Sequence, residues 1–172
     1  MGMDVIGKNK NSEVGSYFRR NVWGWRPLWQ YVEIVHSDLA AKVEYGQSND
    51  GDGLNAGDSR ELARRLREDL EFGVADRYIL ERNEVLAEMP RESCDLCHGT
   101  GIRDDEVGKE FGHPTQELAP EVQIVTGRTH GYCNACSGYG DKPNWETHYW
   151  LERNDLKEFA DFLAECDGFE IW

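Results

Sequence analysis

The sequence predicts an α+β protein: a small mixed helical domain with short terminal strands and a one-zinc, ribbon-like insertion. Three observations predict it. Apolar residues recur at helical spacing in four separate stretches. Both ends of the chain, Met3–Ile6 and Phe169–Trp172, are short, apolar-rich and strand-like. Residues 94–101 (CDLCHGTG) and 133–140 (CNACSGYG) repeat a single cysteine–glycine pattern. A chain of 172 residues, 39% hydrophobic and with six tryptophans, has material for one core. The expected organisation is a single domain, 1–172, with 94–140 as a zinc-knuckle subdomain.

The elements follow in order. Met3–Ile6 is an opening strand ended by Gly7, and it is expected to lie beside the closing strand, since unpaired strands would leave backbone groups unsatisfied. Residues 8–16 read as a loop. Pro27 suits the first turn of a helix in which Leu28, Tyr31, Val32, Val35 and Leu39 share a face, running to about residue 40. Residues 42–57 form a glycine- and aspartate-rich loop. Gly53 sits where a calcium loop has its invariant glycine, but Ser59 stands where that loop needs a bidentate Glu, so a turn or ligand-contacting loop is the better reading.

Asp58 and Glu61 have capping-box spacing at the start of a helix with Leu62, Ala63, Leu66 and Leu70 on one face, stopped by Gly73. A further helix covers about 75–88, with Pro90 beyond it. Val122–Thr126 reads as a strand, with Gly127 turning it into a hairpin that returns the chain to Cys133. Asn154 caps a last helix, whose buried stripe is Leu156, Phe159, Ala160 and Leu163. Cys166 falls on that face as a buried structural thiol.

The cysteines carry the sharpest chemistry. Two Cys-x-x-Cys pairs deliver four thiolates, the shell of a tetrahedral Zn²⁺, and glycines two and four places after each second cysteine allow a tight knuckle. Cys94, Cys97, Cys133 and Cys136 are therefore the expected ligands of one structural zinc per chain. Cys94–His98 also spells the CxxCH of c-type haem attachment, which leaves the second knuckle unexplained. A thioredoxin-like redox pair lacks its strand–helix setting, and two disulfides would need an oxidising compartment. The opening residues have no apolar signal-peptide region, so a cytoplasmic location without membrane association is expected. Because the insert 98–132 exceeds the ~15–20 residues of compact zinc motifs, it is expected to have structure or a partner of its own.

The doubled CxxCxGxG resembles the cysteine-rich zinc finger of DnaJ-type chaperones. That finger has four copies and two zincs, whereas this chain has two copies and sulfur for one ion. The His-Pro-Asp signature of the J-domain is absent, so only the ligand role of the four cysteines carries over. The opening MGxDVxG, NVWxWRPLW, the NDGxG loop, the paired knuckles and the closing GGFEIW, which here has Asp167 at its first place, are together similar to an uncharacterised family of phage and bacterial proteins. That resemblance implies no activity.

The net charge of −14 disfavours direct nucleic-acid binding, which needs Lys and Arg at phosphates. The five histidines are scattered, and no hydrolase elbow, phosphate-cradling loop or dinucleotide fingerprint is present. A ligand site is expected from Trp23, Trp25 and Arg26 with the loop Asn49, Asp50, Gly51, Asp52 and Gly53, since aromatic faces beside an Arg suit a planar or anionic ligand. The alternative for those residues is plain core packing.

The leading functional reading is a zinc-stabilised, non-enzymatic interaction protein with a protein partner. A binder of small nucleotide-like molecules is the alternative, an acidic DNA mimic follows, and an enzyme using Asp50, Asp52 and a histidine ranks last.

Overall fold

In the computed structural model, which describes residues 2–172, Met3 and Val5 turn inward while Asp4 and Ile6 lie between them half-exposed, making Gly2–Gly7 strand β1. β1 is the centre of a three-stranded antiparallel sheet. On one side it pairs with β2, Tyr17–Asn21, and on the other with β5, Phe169–Ile171, in the register Val5 opposite Ile171. The two chain ends are thus neighbours, as their composition predicts. β2 was not foreseen, because its YFRRN carries two adjacent arginines instead of an alternating apolar face.

Asn21 ends β2 and caps α1, Val22–Val35, its Oδ1 accepting the Gly24 amide at 2.9 Å. The helix therefore begins six residues before Leu28, and Pro27 lies inside it rather than at its first turn. The cap decides the start, and the proline merely omits one amide. Leu39 belongs to a separate turn, α2, Ser37–Ala40.

The next helix, α3, is Ala56–Glu71 and is capped by Asn55, not Asp58: the Asn55 Oδ1 accepts the amides of Gly57 and Asp58 at 2.9 and 3.0 Å. α4 covers Val74–Ala87 after Gly73, which takes φ +75°. The last long helix, α7, is Arg153–Glu165. It starts after Glu152, whose amide is accepted by Asp155 Oδ2 at 2.9 Å, and Asn154 already lies within it.

These elements enclose an aromatic core. Trp25 and Trp29 stack at 5.6 Å and 13°, Phe159 meets both edge-on, and Phe18, Phe162 and Phe169 complete the cluster. Cys166 is wholly buried in it, with its thiol pushed up by burial.

The chain divides into two compact units, the first running to Ala87 and resuming over His148–Trp172, the second Glu88–Thr147. In the second, β3 (Glu92–Ser93) pairs antiparallel with β4 (Asp141–Lys142). Between them lie α5, Glu106–Glu110, and α6, Pro120–Thr126. α6 corrects the expected strand at 122–126. Pro120 opens it, Gly127 closes it at φ +69°, and the Gly127 amide reaches the Gln123 carbonyl at 2.8 Å. Its β-branched run has no strand to pair with: Val122 is buried, while Ile124 and Val125 face outward. Among the described residues no helix is long and apolar enough to cross a membrane.

Candidate metal centre

Two loops built alike carry the four cysteines. In the first, the Gly99 amide bonds the Cys94 carbonyl at 3.2 Å and Thr100 bonds Cys97 at 3.0 Å; in the second, Gly138 bonds Cys133 at 3.2 Å and Tyr139 bonds Cys136 at 2.9 Å. The backbone turns left-handed at matching places, His98 and Ser137 at φ 51° and 52°, then Gly99 and Gly138 at 83° and 89°. At the fourth place after each second cysteine, the amides of Gly101 and Gly140 both point at sulfur, donating to Cys97 Sγ and Cys136 Sγ at 3.2 Å. Such N–H···S bonds stabilise thiolate over thiol. β3 and β4 tie the loops together, and the Cys94 amide donates to the Gly140 carbonyl at 2.9 Å.

The four sulfurs lie within 4.8 Å of one another, and all four cysteines are buried. Cys94 and Cys133 Sγ are 3.9 Å apart, Cys97 and Cys136 Sγ 3.8 Å. A disulfide needs about 2.05 Å. A tetrahedron of sulfurs about 2.3 Å from zinc has edges of about 3.8 Å. The arrangement therefore fits one tetrahedral metal ion and excludes cross-linking in this conformation.

Protonation points the same way. Burial opposes ionisation of Cys94, but the amides of Cys97 and Leu96 and the neighbouring thiols outweigh it and bring its pKa to about 7. Burial raises Cys133 and pushes Cys136 up to about 12. The cage thus favours an anion at Cys94 and opposes those at Cys133 and Cys136, a cost that a cation at its centre would offset. His98 and His130 are exposed and stand outside the thiol set.

The insert between the knuckles folds against them. Leu118 and Val122 are buried, and a Cβ on Gly138 would come within 2.5 Å of Leu118 and 3.4 Å of Val122. Arg128 bonds the carbonyls of Gly131, at 3.1 Å, and Gly138.

The other expected site residues divide. Trp25 is wholly buried and offers a ligand no surface, because its indole N–H is accepted by the Gly46 carbonyl at 2.9 Å beneath the core. Trp23 and Arg26 do come together, through Tyr149: the Trp23 ring lies 4.7 Å from it, the Arg26 guanidinium 5.7 Å over its face, and Arg26 Nη1 donates to its hydroxyl at 3.2 Å. The Asn49–Gly53 loop is turned to the chain ends instead. Asn49 donates to the Gly2 carbonyl at 3.3 Å, Gly51 to Ile171 at 2.8 Å, and Ile171 to Asp52 at 2.9 Å. Gly51, at φ +78°, lies under the Trp172 ring. Asp52 accepts the amides of Tyr45 and Gly53 at 3.1 and 2.8 Å, while Asp50 remains exposed at the loop tip with Ser48.

Tyr149 and Trp150 escaped the sequence reading. Their signal is an aromatic pair just ahead of the last helix that fits no apolar period. Compared with known proteins, the chain matches no family model, no curated protein and no solved structure.

Proposed function

We propose that this is a zinc-stabilised, non-enzymatic binding protein acting on a protein partner, with one Zn²⁺ held by Cys94, Cys97, Cys133 and Cys136. The observation that carries it is the sealed thiol cage, whose tetrahedral shell is filled by protein sulfur and leaves no position for a reactive water. In the cage the ion supplies cross-linking of two loops, not Lewis-acid chemistry. Similarity of the end motifs to phage and bacterial proteins agrees with an origin in that setting.

The partner surface centres on the exposed Arg26, which the buried Tyr149 holds in place, with the exposed carboxylate of Asp50 as a second contact. Arginine is among the side chains on which interface energies concentrate. Capture of a partner by the zinc-loaded protein, with Arg26→Ala and Asp50→Ala compared, tests the reading. Arg26→Ala is expected to abolish capture of a stoichiometric protein partner while leaving the melting temperature nearly unchanged. Capture that survives both substitutions, or catalytic turnover by the zinc-loaded protein, overturns it.

A further inference from the structure

Beside Trp23 the first unit carries a groove of about 330 Å³, lined by Asn21, Trp23, Gly24 and Trp150 together with the paired side chains of Arg20 and Asp155. We propose that it docks a proline-rich segment of the protein partner, with a lysine or arginine flanking the prolines. This rests on the protein-partner reading and names what the partner presents. The two tryptophans are 41% and 55% exposed, large aromatic faces that the core does not use. Trp23 is braced by Tyr149, so its ring is held rather than free to swing. Aromatic-lined grooves suit proline rings, which arrive on a preformed extended helix and lose little freedom on docking.

Hydrogen-bonding capacity narrows the occupant. The acceptors of the groove are engaged: Asp155 Oδ1 by Arg20 Nε at 3.0 Å, Asp155 Oδ2 by the Glu152 amide at 2.9 Å, and Asn21 Oδ1 by the Gly24 amide at 2.9 Å. The Arg20 guanidinium is also in use, donating to Asp155, to the Arg19 carbonyl at 3.1 Å and to Glu158. Among the described residues, the side-chain amide of Asn21 and the indole N–H groups of Trp23 and Trp150 have no acceptor. The groove thus keeps donors and aromatic faces. A proline run is the matching backbone, since it brings a carbonyl at every residue and no N–H in need of an acceptor.

Charge sets the flank. Arg20 faces two carboxylates, Asp155 and Glu158, while Arg19 turns away to Gly2 and to Asp4, its own acidic partner. Glu152, two residues after Trp150, is exposed and has no basic partner among the described residues. The groove and its edge are therefore net negative, in a chain of net charge −14, and complement a cation beside the prolines.

Titration calorimetry of the zinc-loaded full chain tests the proposal with three synthetic peptides: an uninterrupted proline run flanked by lysines, the same run flanked by glutamates, and an alanine run flanked by lysines. The lysine-flanked prolines bind, the glutamate-flanked ones bind more weakly, and the alanine peptide gives no signal. Trp150→Ala weakens the lysine-flanked prolines about thirtyfold, the scale of a truncated hot-spot aromatic, and Trp150→Phe regains most of that loss. Glu152→Gln keeps a capping oxygen at the start of α7 and narrows the gap between the two proline peptides. Arg26→Ala changes neither, because Arg26 lines no part of the groove.

No binding of the lysine-flanked prolines at millimolar concentration overturns the proposal, as does equal binding of the alanine peptide or full affinity in a folded Trp150→Ala. If Trp150→Ala does not fold, Glu152→Gln decides: an unchanged gap overturns it. Partner capture by a chain that binds none of the peptides removes this inference alone. Peptide binding with capture that survives both Arg26→Ala and Asp50→Ala removes the Arg26 surface alone.

Discussion

Gly101 and Gly140 close on each other across the two knuckles. A Cβ on Gly101 would lie 2.3 Å from the Gly138 carbonyl oxygen, and one on Gly140 2.4 Å from that of Gly99. The reciprocal contact lets each loop set its amide on its own cysteine sulfur. Gly140→Ala is therefore expected to lower both the melting temperature and zinc retention against a chelator. Gly73→Ala is the control: its φ is likewise positive, +75°, but a Cβ there meets nothing within 4 Å. It should show only the cost of a positive φ, about 1 kcal/mol, and retain its zinc. Equal effects of the two substitutions would show that the approach of the loops contributes nothing.

Native protein is expected to contain one zinc per chain, and Cys133→Ser to lose it. The apparent binding free energy of such structural sites, roughly 10–16 kcal/mol, is also folding free energy. Since each ligand must shed a proton and burial holds Cys136 up at about 12, retention falls as pH falls. The aromatic core draws on residues of the first unit alone. Metal removal should thus unfold residues 88–147 while near-ultraviolet dichroism from Trp25 and Trp29 persists. Metal analysis of chelated and Cys133→Ser protein, with dichroism alongside, checks both points.

Tyr31 is wholly buried and donates to Asp69 Oδ2 at 2.7 Å, an oxygen that His36 Nε2 also meets at 2.6 Å. Burial, and then the Asp69 bond, raise its pKa well above the usual value of about 10. A phenol whose pKa is raised by folding contributes stability that is complete below its unfolded value and lost as pH climbs through the folded one. Tyr31→Phe should cost about 1.5–3 kcal/mol near neutral pH, the range for a hydrogen bond to a charged group. The gap from the parent should narrow above about pH 10. Urea unfolding near neutrality and in alkali measures it; a gap that widens in alkali would refute the assignment.

Phe169 is fully buried, and its strand holds the N-terminal strand in register, Gly7 opposite Phe169. Phe169→Ala should cost about 3–5 kcal/mol. For a chain of this size that is a fall of roughly 6–20 °C in melting temperature. Gly53→Ala attacks the same contact from outside, because its Cβ would lie 1.9 Å from the Phe169 carbonyl oxygen. Thermal denaturation of both variants checks the clamp, and unchanged melting in either would mean the terminal strand is dispensable.

What the sequence determined by itself is what depends on short-range spacing. Cys-x-x-Cys with following glycines sets a loop whatever surrounds it, so the four cysteines of the cage were legible as a group. The same holds for the helical stripes of Leu62, Ala63 and Leu66 and of Leu156, Phe159 and Leu163, and for the two apolar termini. Residues 122–126 were not legible, because β-branched residues favour a strand only where one exists to pair with, and Pro120 and Gly127 settled a helix instead.

Tertiary structure alone decided what each tryptophan and aspartate is for. Trp23 and Trp25 are two apart on one helix and so face different ways, one to the surface and one to the core. The Asn49–Gly53 loop clasps the C-terminal strand, and Trp150 arrives beside Trp23 from the far end of the chain. Such contacts arise from packing between residues distant in sequence, and no local pattern encodes which faces the fold will cover.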